Sequence, residues 1–322
     1  MRLAYAVVGK GTPLVRTSHW FTHIEHDLTN PVFRHVILGL AHHHKVLRYD
    51  ARGIGLSQRD VDITFDKWVQ DLETVIDAAG FDKFVLLGLS QGCSQAIAYA
   101  ARHPDRVSHL ILFGGFARGL MLRDGDPAKH REALDLGRAL IRQGWGTQDE
   151  SHRQFFTSQF MPSASRELHR ALNELQQQAT TPEIAERVLM TTATFDVRDQ
   201  LPLVKAPTLV MHSTGDTRVP YALGQEIAAG IPGAKLAPLN SVNHMIPPDD
   251  PAHRQMSDAI ADFLGEKRVR HLPATTHLSD RLEKKAHALE QNWFIKFVLI
   301  FAAITGCLIF FWEVFKLTRG AH

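Results

Sequence analysis

The sequence predicts an α/β fold: a mostly parallel sheet flanked by helices, bearing a helical cap, with one transmembrane helix at the C-terminus. Three observations predict it. Short apolar runs alternate with helical stretches through residues 1–265. The strand signals stop between Gly119 and about Gln200, where only helical patterns remain. Residues 293–312 are almost entirely apolar.

In chain order, the apolar run Val36–Leu40 precedes His42-His43-His44, and Lys45–Tyr49 reads as a strand. Phe65–Ala79 is helical by the spacing of Trp68, Val69, Leu72, Val75 and Ile76. Phe84–Gly88 is a continuous apolar strand, Ser94–Arg102 a helix stopped by His103-Pro104, and Val107–Phe113 another strand. Arg131–Gln143, Arg166–Gln178 and Pro182–Thr191 are the clearest helices of the next stretch. Thr208–His212 and Ala234–Leu239 return to strands. Strands alternating with helices imply a parallel sheet buried on both faces. Helices inserted between two strand regions imply a cap over the sheet's C-terminal edge. The predicted organisation is a core of residues 1–118 and 201–265, a cap of 119–200, a charged helical linker of 266–292, a transmembrane helix of 293–312 and a short tail of 313–322.

Composition excludes several classes. The chain has 322 residues, of which 44% are hydrophobic and 22% charged, which argues against disorder, collagen and repeat arrays. The net charge of +2 argues against a generic nucleic-acid grip. Cys93 and Cys307 are far apart and neither has a CxxC partner, so no disulfide scaffold or cysteine zinc site is expected. Leu3–Val8 is too short for the apolar region of a signal peptide.

The apolar run 293–312 has 20 residues, which at ~1.5 Å each cross the ~30 Å hydrocarbon of a bilayer. Trp293 and Trp312 stand at its ends, where interfacial aromatics belong, and Lys296 lies within snorkelling reach of one interface. Arg281, Lys284, Lys285 and Lys296 precede or enter the run, against Lys316 and Arg319 after it. That bias places the large domain on the cytoplasmic side of a single-pass, tail-anchored protein. Leu278, Leu282, Leu289 and Trp293 form a stripe in the linker, and Ala302 and Gly306 a small-residue pair in the span. Both offer contacts for a homo-oligomer; a solvated stalk is the plainer reading of the linker.

The chemistry centres on Gly88-Leu89-Ser90-Gln91-Gly92, a G-x-S-x-G between an apolar strand and a helix. Two glycines permit a sharp strand-to-helix turn that lifts the serine hydroxyl from the chain. A serine hydroxyl needs a base, and the base needs an orienting carboxylate. Asp216 follows the strand Thr208–His212, and His244 follows the strand that ends near Leu239. Ser90, Asp216 and His244 therefore stand in the order nucleophile, acid, base. Each lies at a strand C-terminal end, where open α/β sheets place their sites.

With these motifs the sequence resembles the α/β-hydrolases. Arg48-Tyr49-Asp50-Ala51-Arg52-Gly53-Ile54-Gly55-Leu56-Ser57 is similar to the family's segment upstream of the serine turn; Gly215-Asp216 and Asn243-His244 resemble its acid and histidine motifs. More narrowly, Leu3–Pro13, Arg16-Thr17-Ser18-His19-Trp20 and the run from Arg106 to Gly119 resemble hydrolase-like domains fused to adenylate cyclases or helix-turn-helix regulators. Two departures stand out. The family's His-Gly after its third strand is replaced by Ser18-His19-Trp20, so by position the backbone N–H groups of Trp20 and Gln91 are the expected oxyanion donors. Met1 falls inside what resembles the second strand of the family's first hairpin, so an edge strand is expected to be missing or the start to be misassigned.

The remaining candidates read as structural. His42-His43-His44 is expected to be a solvated loop, Cys93 a packing thiol, and Asp50 and Arg52 loop-fixing groups. Phe155, Phe156, Phe160, Met161 and Leu120-Met121-Leu122 fall in the cap, and Phe160 and Met121 are candidates for an acyl pocket. The resemblance implies a serine hydrolase acting on a carboxylic ester through an acyl-enzyme, with no metal or organic cofactor; the apolar run adds a membrane anchor, and the net charge argues against a nucleic-acid partner. A lipophilic ester fits the anchor. The competing reading is a ligand sensor with a slow or silent triad that signals through the 266–292 linker; a structural relic fold is weaker, because the triad spacing is intact.

Overall fold

A computed structural model describes residues 1–268. The linker beyond residue 268, the apolar run 293–312 and the tail lie outside the described residues. Seven strands form one sheet: β1 (Tyr5–Val8), β2 (Thr12–Arg16), β3 (His44–Tyr49), β4 (Phe84–Leu89), β5 (Val107–Phe113), β6 (Thr208–Ser213) and β7 (Lys235–Leu239). Their order is β1-β3-β2-β4-β5-β6-β7. Only the β1–β3 pair is antiparallel; every other neighbouring pair is parallel. β1 is an edge strand, and its Tyr5 and Val7 side chains are exposed.

The central strands are apolar on both faces because both are covered. On one face Leu86, Leu110, Leu112 and Val210 pack with Trp68, Leu72 and Ile76 of α2 (Phe65–Ala78) and with Ala96, Ile97 and Tyr99 of α3 (Gly92–Arg102). On the other, Val85, Leu87, Ile111, Leu209 and Met211 pack with Leu40 of α1 (Arg34–Ala41) and with Met256, Ile260 and Phe263 of a C-terminal helix, Ala252–Leu264. The period-2 alternation of side chains thus feeds two separate clusters from the same strands. The run Val36–Leu40 lies inside α1, not in a strand.

Four helices lie between β5 and β6: α4 (Pro127–Gly144), α5 (Ser151–Phe160), α6 (Arg166–Ala179) and α7 (Pro182–Thr194). Local chemistry sets three of their starts. Asp126, Ser165 and Thr181 each cap the first turn with a side-chain oxygen, and Pro127 and Pro182 sit where the missing N–H costs nothing. The excursion has a closed stem. Gly119 N–H donates to the Phe195 carbonyl (2.8 Å) and Val197 N–H to the Ala117 carbonyl (2.8 Å). A short 3-10 turn (Leu120–Leu122) opens it and a second (Arg198–Leu203) leads back toward β6. After β6 come α8 (Tyr221–Gly230), β7 and α9, the helix Ala252–Leu264.

One expectation is corrected. His44 is not part of a solvated loop: it begins β3, is almost fully buried, and its Nε2 lies 3.3 Å from Glu266 Oε1 just past α9. The third histidine of the run is drawn inward by sheet pairing, which the His-rich pattern alone does not reveal.

Candidate active site

Three loops at the C-terminal ends of β4, β6 and β7 meet at one point. Ser90 follows β4 in a turn so sharp that its φ is +52°, the one positive φ of a non-glycine residue among those described. Such a conformation costs about 1–3 kcal/mol and persists only where neighbours enforce it. Here the glycines on either side make room. A Cβ on Gly92 would sit 2.2 Å from Thr17 Oγ1 and 2.6 Å from the Ser18 carbonyl oxygen, and one on Gly88 2.7 Å from Cys93 Cα. α3 starts at once, with Ser90 and Gln91 before its first residue.

His244 Nε2 is 2.9 Å from Ser90 Oγ, and His244 Nδ1 is 2.6 Å from Asp216 Oδ2. Asp216 Oδ1 accepts the backbone N–H groups of Arg218 and Val219, both at 2.9 Å. Burial would raise the Asp216 pKa, but the His244 charge, the nearby His212 and hydrogen bonds from His244 and Val219 outweigh it and hold the carboxyl well below the usual carboxylate range. Asp216 is therefore a fixed anion aimed at Nδ1. That favours the tautomer whose Nε2 accepts from the serine hydroxyl and stabilises the imidazolium after proton transfer.

The His244 loop is fixed from both sides. Asn243 Nδ2 donates to Asp250 Oδ2 (2.8 Å) and Ser163 Oγ (2.7 Å), and Met245 N–H donates to the Phe160 carbonyl (2.9 Å). Behind Asp216, His212 Nε2 donates to the Val219 carbonyl (2.7 Å) and lies 3.6 Å from Asp216 Oδ2. Sequence reasoning gave His212 no role at the site and took Asn243 only as part of the histidine motif. The four-residue spacing of His212 and Asp216 and the Asn243-His244 pair were the available signals.

The loop after β2 supplies the opposite wall. Arg16 Nη2 meets Asp27 Oδ2 at 2.6 Å with both side chains buried, which closes the loop carrying Ser18, His19 and Trp20. The Trp20 ring packs against Phe156 and Phe160 of α5, and its indole Nε1 donates to Gln176 Oε1 of α6 (3.1 Å). Among the described residues, the backbone N–H groups of Trp20 and Gln91 have no protein acceptor. His19 is fully enclosed, and burial, Arg16 and His244 hold its pKa well below the usual histidine value.

Two cavities share Ser90. One is lined by Val32, Phe33, Leu89, Phe113, Ile246 and Met256 along with His19, Trp20 and His244. The other runs under the cap past Gln91, Phe116, Leu120, Phe155, Phe156 and Phe160, and also meets Arg123 and Arg218. Phe160 lines both; Met121 lines neither.

The plainer readings fall into place around them. Cys93 Sγ–H donates to the Phe113 carbonyl (3.4 Å), and burial pushes its pKa far above the ordinary thiol range. Asp50 accepts from Thr22 Oγ1, Ile24 N–H and Leu56 N–H, while Arg52 forks onto Asp71. Both fix loops. Among the described residues no cluster of three His, Cys, Asp or Glu side chains is arranged to hold a metal ion.

Comparison with known proteins agrees with this architecture. The AB hydrolase superfamily protein YisY of Bacillus subtilis (strain 168) is 25% identical over 242 residues, spanning 74% of this chain and 86% of its own. The Karrikin insensitive 2 receptor IA of Petunia hybrida is 24% identical over 248 residues, spanning 75% and 86%. A hydrolase from Pseudomonas aeruginosa PA01 superposes with a TM-score of 0.65 at 26% identity, covering 82% of this chain and 94% of that one. Residues 28–251, more than half of the sequence, match the family profile of the alpha/beta hydrolase fold, and the chain belongs to that family.

Proposed function

We propose that this α/β-hydrolase is a serine hydrolase that cleaves carboxylic esters through an acyl-enzyme. The observation that carries the reading is the unbroken relay from Ser90 Oγ through His244 to an ionised Asp216. Ser90 Oγ attacks the ester carbonyl as its proton passes to His244 Nε2. The tetrahedral oxyanion is held by the unengaged N–H groups of Trp20 and Gln91, with the α3 N-terminus behind them. Collapse breaks the bond to the alkoxy group, which leaves as alcohol with the proton from His244. Water, deprotonated by the same nitrogen, releases the acid and restores Ser90.

The test is fluorophosphonate labelling together with turnover of short-chain p-nitrophenyl esters. Wild type is expected to label and to turn over; Ser90→Ala and His244→Ala are expected to lose both. A folded wild type that neither labels nor turns over would overturn the esterase reading. It would shift the weight to a ligand sensor, a reading that the similarity to a Petunia receptor supports.

We also propose that the enzyme is anchored by residues 293–312 with its hydrolase domain on the cytoplasmic side. Support comes from the length, apolarity and flanking tryptophans of that run. No helix of the described residues is long and apolar enough to cross a membrane. Protease treatment of sealed, cytoplasmic-side-out vesicles is expected to digest the hydrolase domain and spare a tag at the C-terminus.

A further inference from the structure

Two guanidinium groups face the cap-side cavity that reaches Ser90: Arg123, just past the 3-10 turn that opens the cap, and Arg218, in the loop of the catalytic acid. Among the described residues no carboxylate forms an ion pair with either guanidinium, although the Asp216 charge acts on both. Asp216 is engaged by His244, and Asp124 and Glu226 are both held by Arg118. Among the described residues the Arg123 side chain makes no hydrogen bond, and its buried Nε has no acceptor. Arg218 spends one nitrogen on a neutral acceptor, Gln159 Oε1 (3.0 Å). Each guanidinium lies over a ring: Arg123 Cζ is 4.9 Å from the centre of Phe116, and Arg218 Cζ 5.4 Å from that of Phe160. Burial, with the neighbouring Arg218 charge, brings the Arg123 pKa down to about 10, so it stays protonated at neutral pH.

Two like charges held on aromatic faces in a part-buried cavity, with unused donors, are costly without an anion. The second cavity at Ser90 differs sharply: Val32, Phe33, Phe113, Ile246 and Met256 dominate it. We propose that the substrate is a carboxylate-bearing ester, with its anionic part received by Arg123 and Arg218 under the cap and its apolar part by the Ile246 and Met256 cavity. This assignment rests on Ser90 being the nucleophile. It makes Arg123 and Arg218 the residues that set specificity, through planar two-donor contacts to the carboxylate.

Matched pairs of esters test it. p-Nitrophenyl hydrogen glutarate against p-nitrophenyl methyl glutarate places the charge on the acyl side. 3-Butyryloxybenzoate against its methyl ester places it on the leaving group. In at least one pair kcat/KM is expected to favour the anion by about tenfold or more, the scale of one hydrogen bond to a charged group. That ratio is expected to fall toward one in Arg123→Gln and in Arg218→Gln, to survive in part in Arg123→Lys, and to shrink with added salt. Neutral esters turned over with no preference for the anion in either pair would overturn the substrate assignment and leave the hydrolase reading standing. If nothing turns over and no fluorophosphonate label forms, the hydrolase reading fails instead. Fluorescence titration of Ser90→Ala with monomethyl glutarate and with dimethyl glutarate then decides the anion site: tenfold tighter binding of the monoester supports it, and equal binding overturns it.

Discussion

At the scale of single residues, protonation decides what the site can do. Asp216 stays ionised because His244, His212 and two backbone N–H groups outweigh its burial. Replacing it with Asn should leave the loop nearly intact yet invert the preferred His244 tautomer, lowering kcat about 10⁴-fold; ester turnover of Asp216→Asn reads this directly. His19 is a different case. Burial and the Arg16 and His244 charges depress its pKa, so near neutrality it is uncharged in the fold. Below about pH 6.5 the unfolded chain takes up a proton there that the native state refuses, and stability falls as pH falls. Wild type is expected to lose about 1.4 kcal/mol more per pH unit than His19→Gln over that window, read by urea unfolding at a series of pH values.

At the scale of elements, the site depends on the serine turn and on a loop closed by a buried ion pair. The serine turn works only because Gly92 lets α3 begin against Thr17 and the Ser18 carbonyl. Gly92→Ala should cost about 1–3 kcal/mol through forced displacement of backbone, and should abolish fluorophosphonate labelling because Ser90 moves with the turn. The loop that carries His19 and Trp20 is held by Arg16 and Asp27, both buried. Asp27→Asn would strand the Arg16 charge in the interior at a cost of about 3–5 kcal/mol, measured as a drop in unfolding free energy. The same loop reaches the cap through Trp20 and Gln176, so cap position and oxyanion wall are mechanically joined.

At the scale of the whole molecule, residues 1–268 supply a seven-stranded sheet, a packed cluster on each of its faces, and lining side chains of both cavities at Ser90. A chain ending at Arg268 is therefore expected to fold and to label with fluorophosphonate, but to stay in the supernatant with vesicles that retain the full-length protein. Pelleting of the shortened chain with vesicles would show that the hydrolase domain itself carries a membrane contact.

The sequence by itself determined the layered α/β plan, the order of Ser90, Asp216 and His244, and the cap's place between Val107–Phe113 and Thr208–Ser213. These are local matters: apolar runs of strand length, glycines around a serine, and acid and histidine loops each following a strand. It left α1, α8 and α9 unread, since an apolar run as short as Val36–Leu40 does not distinguish helix from strand. Only the tertiary structure decided that His44 is buried, that His212 backs Asp216, and that Trp20 ties the oxyanion wall to the cap. It also decided that Arg123 and Arg218, 95 positions apart, share one cavity. Such facts depend on which side chains neutralise one another across distant segments. Arg118 takes Asp124 and Glu226 and so leaves Arg123 unpaired, an outcome set by packing in space and not by any spacing along the chain.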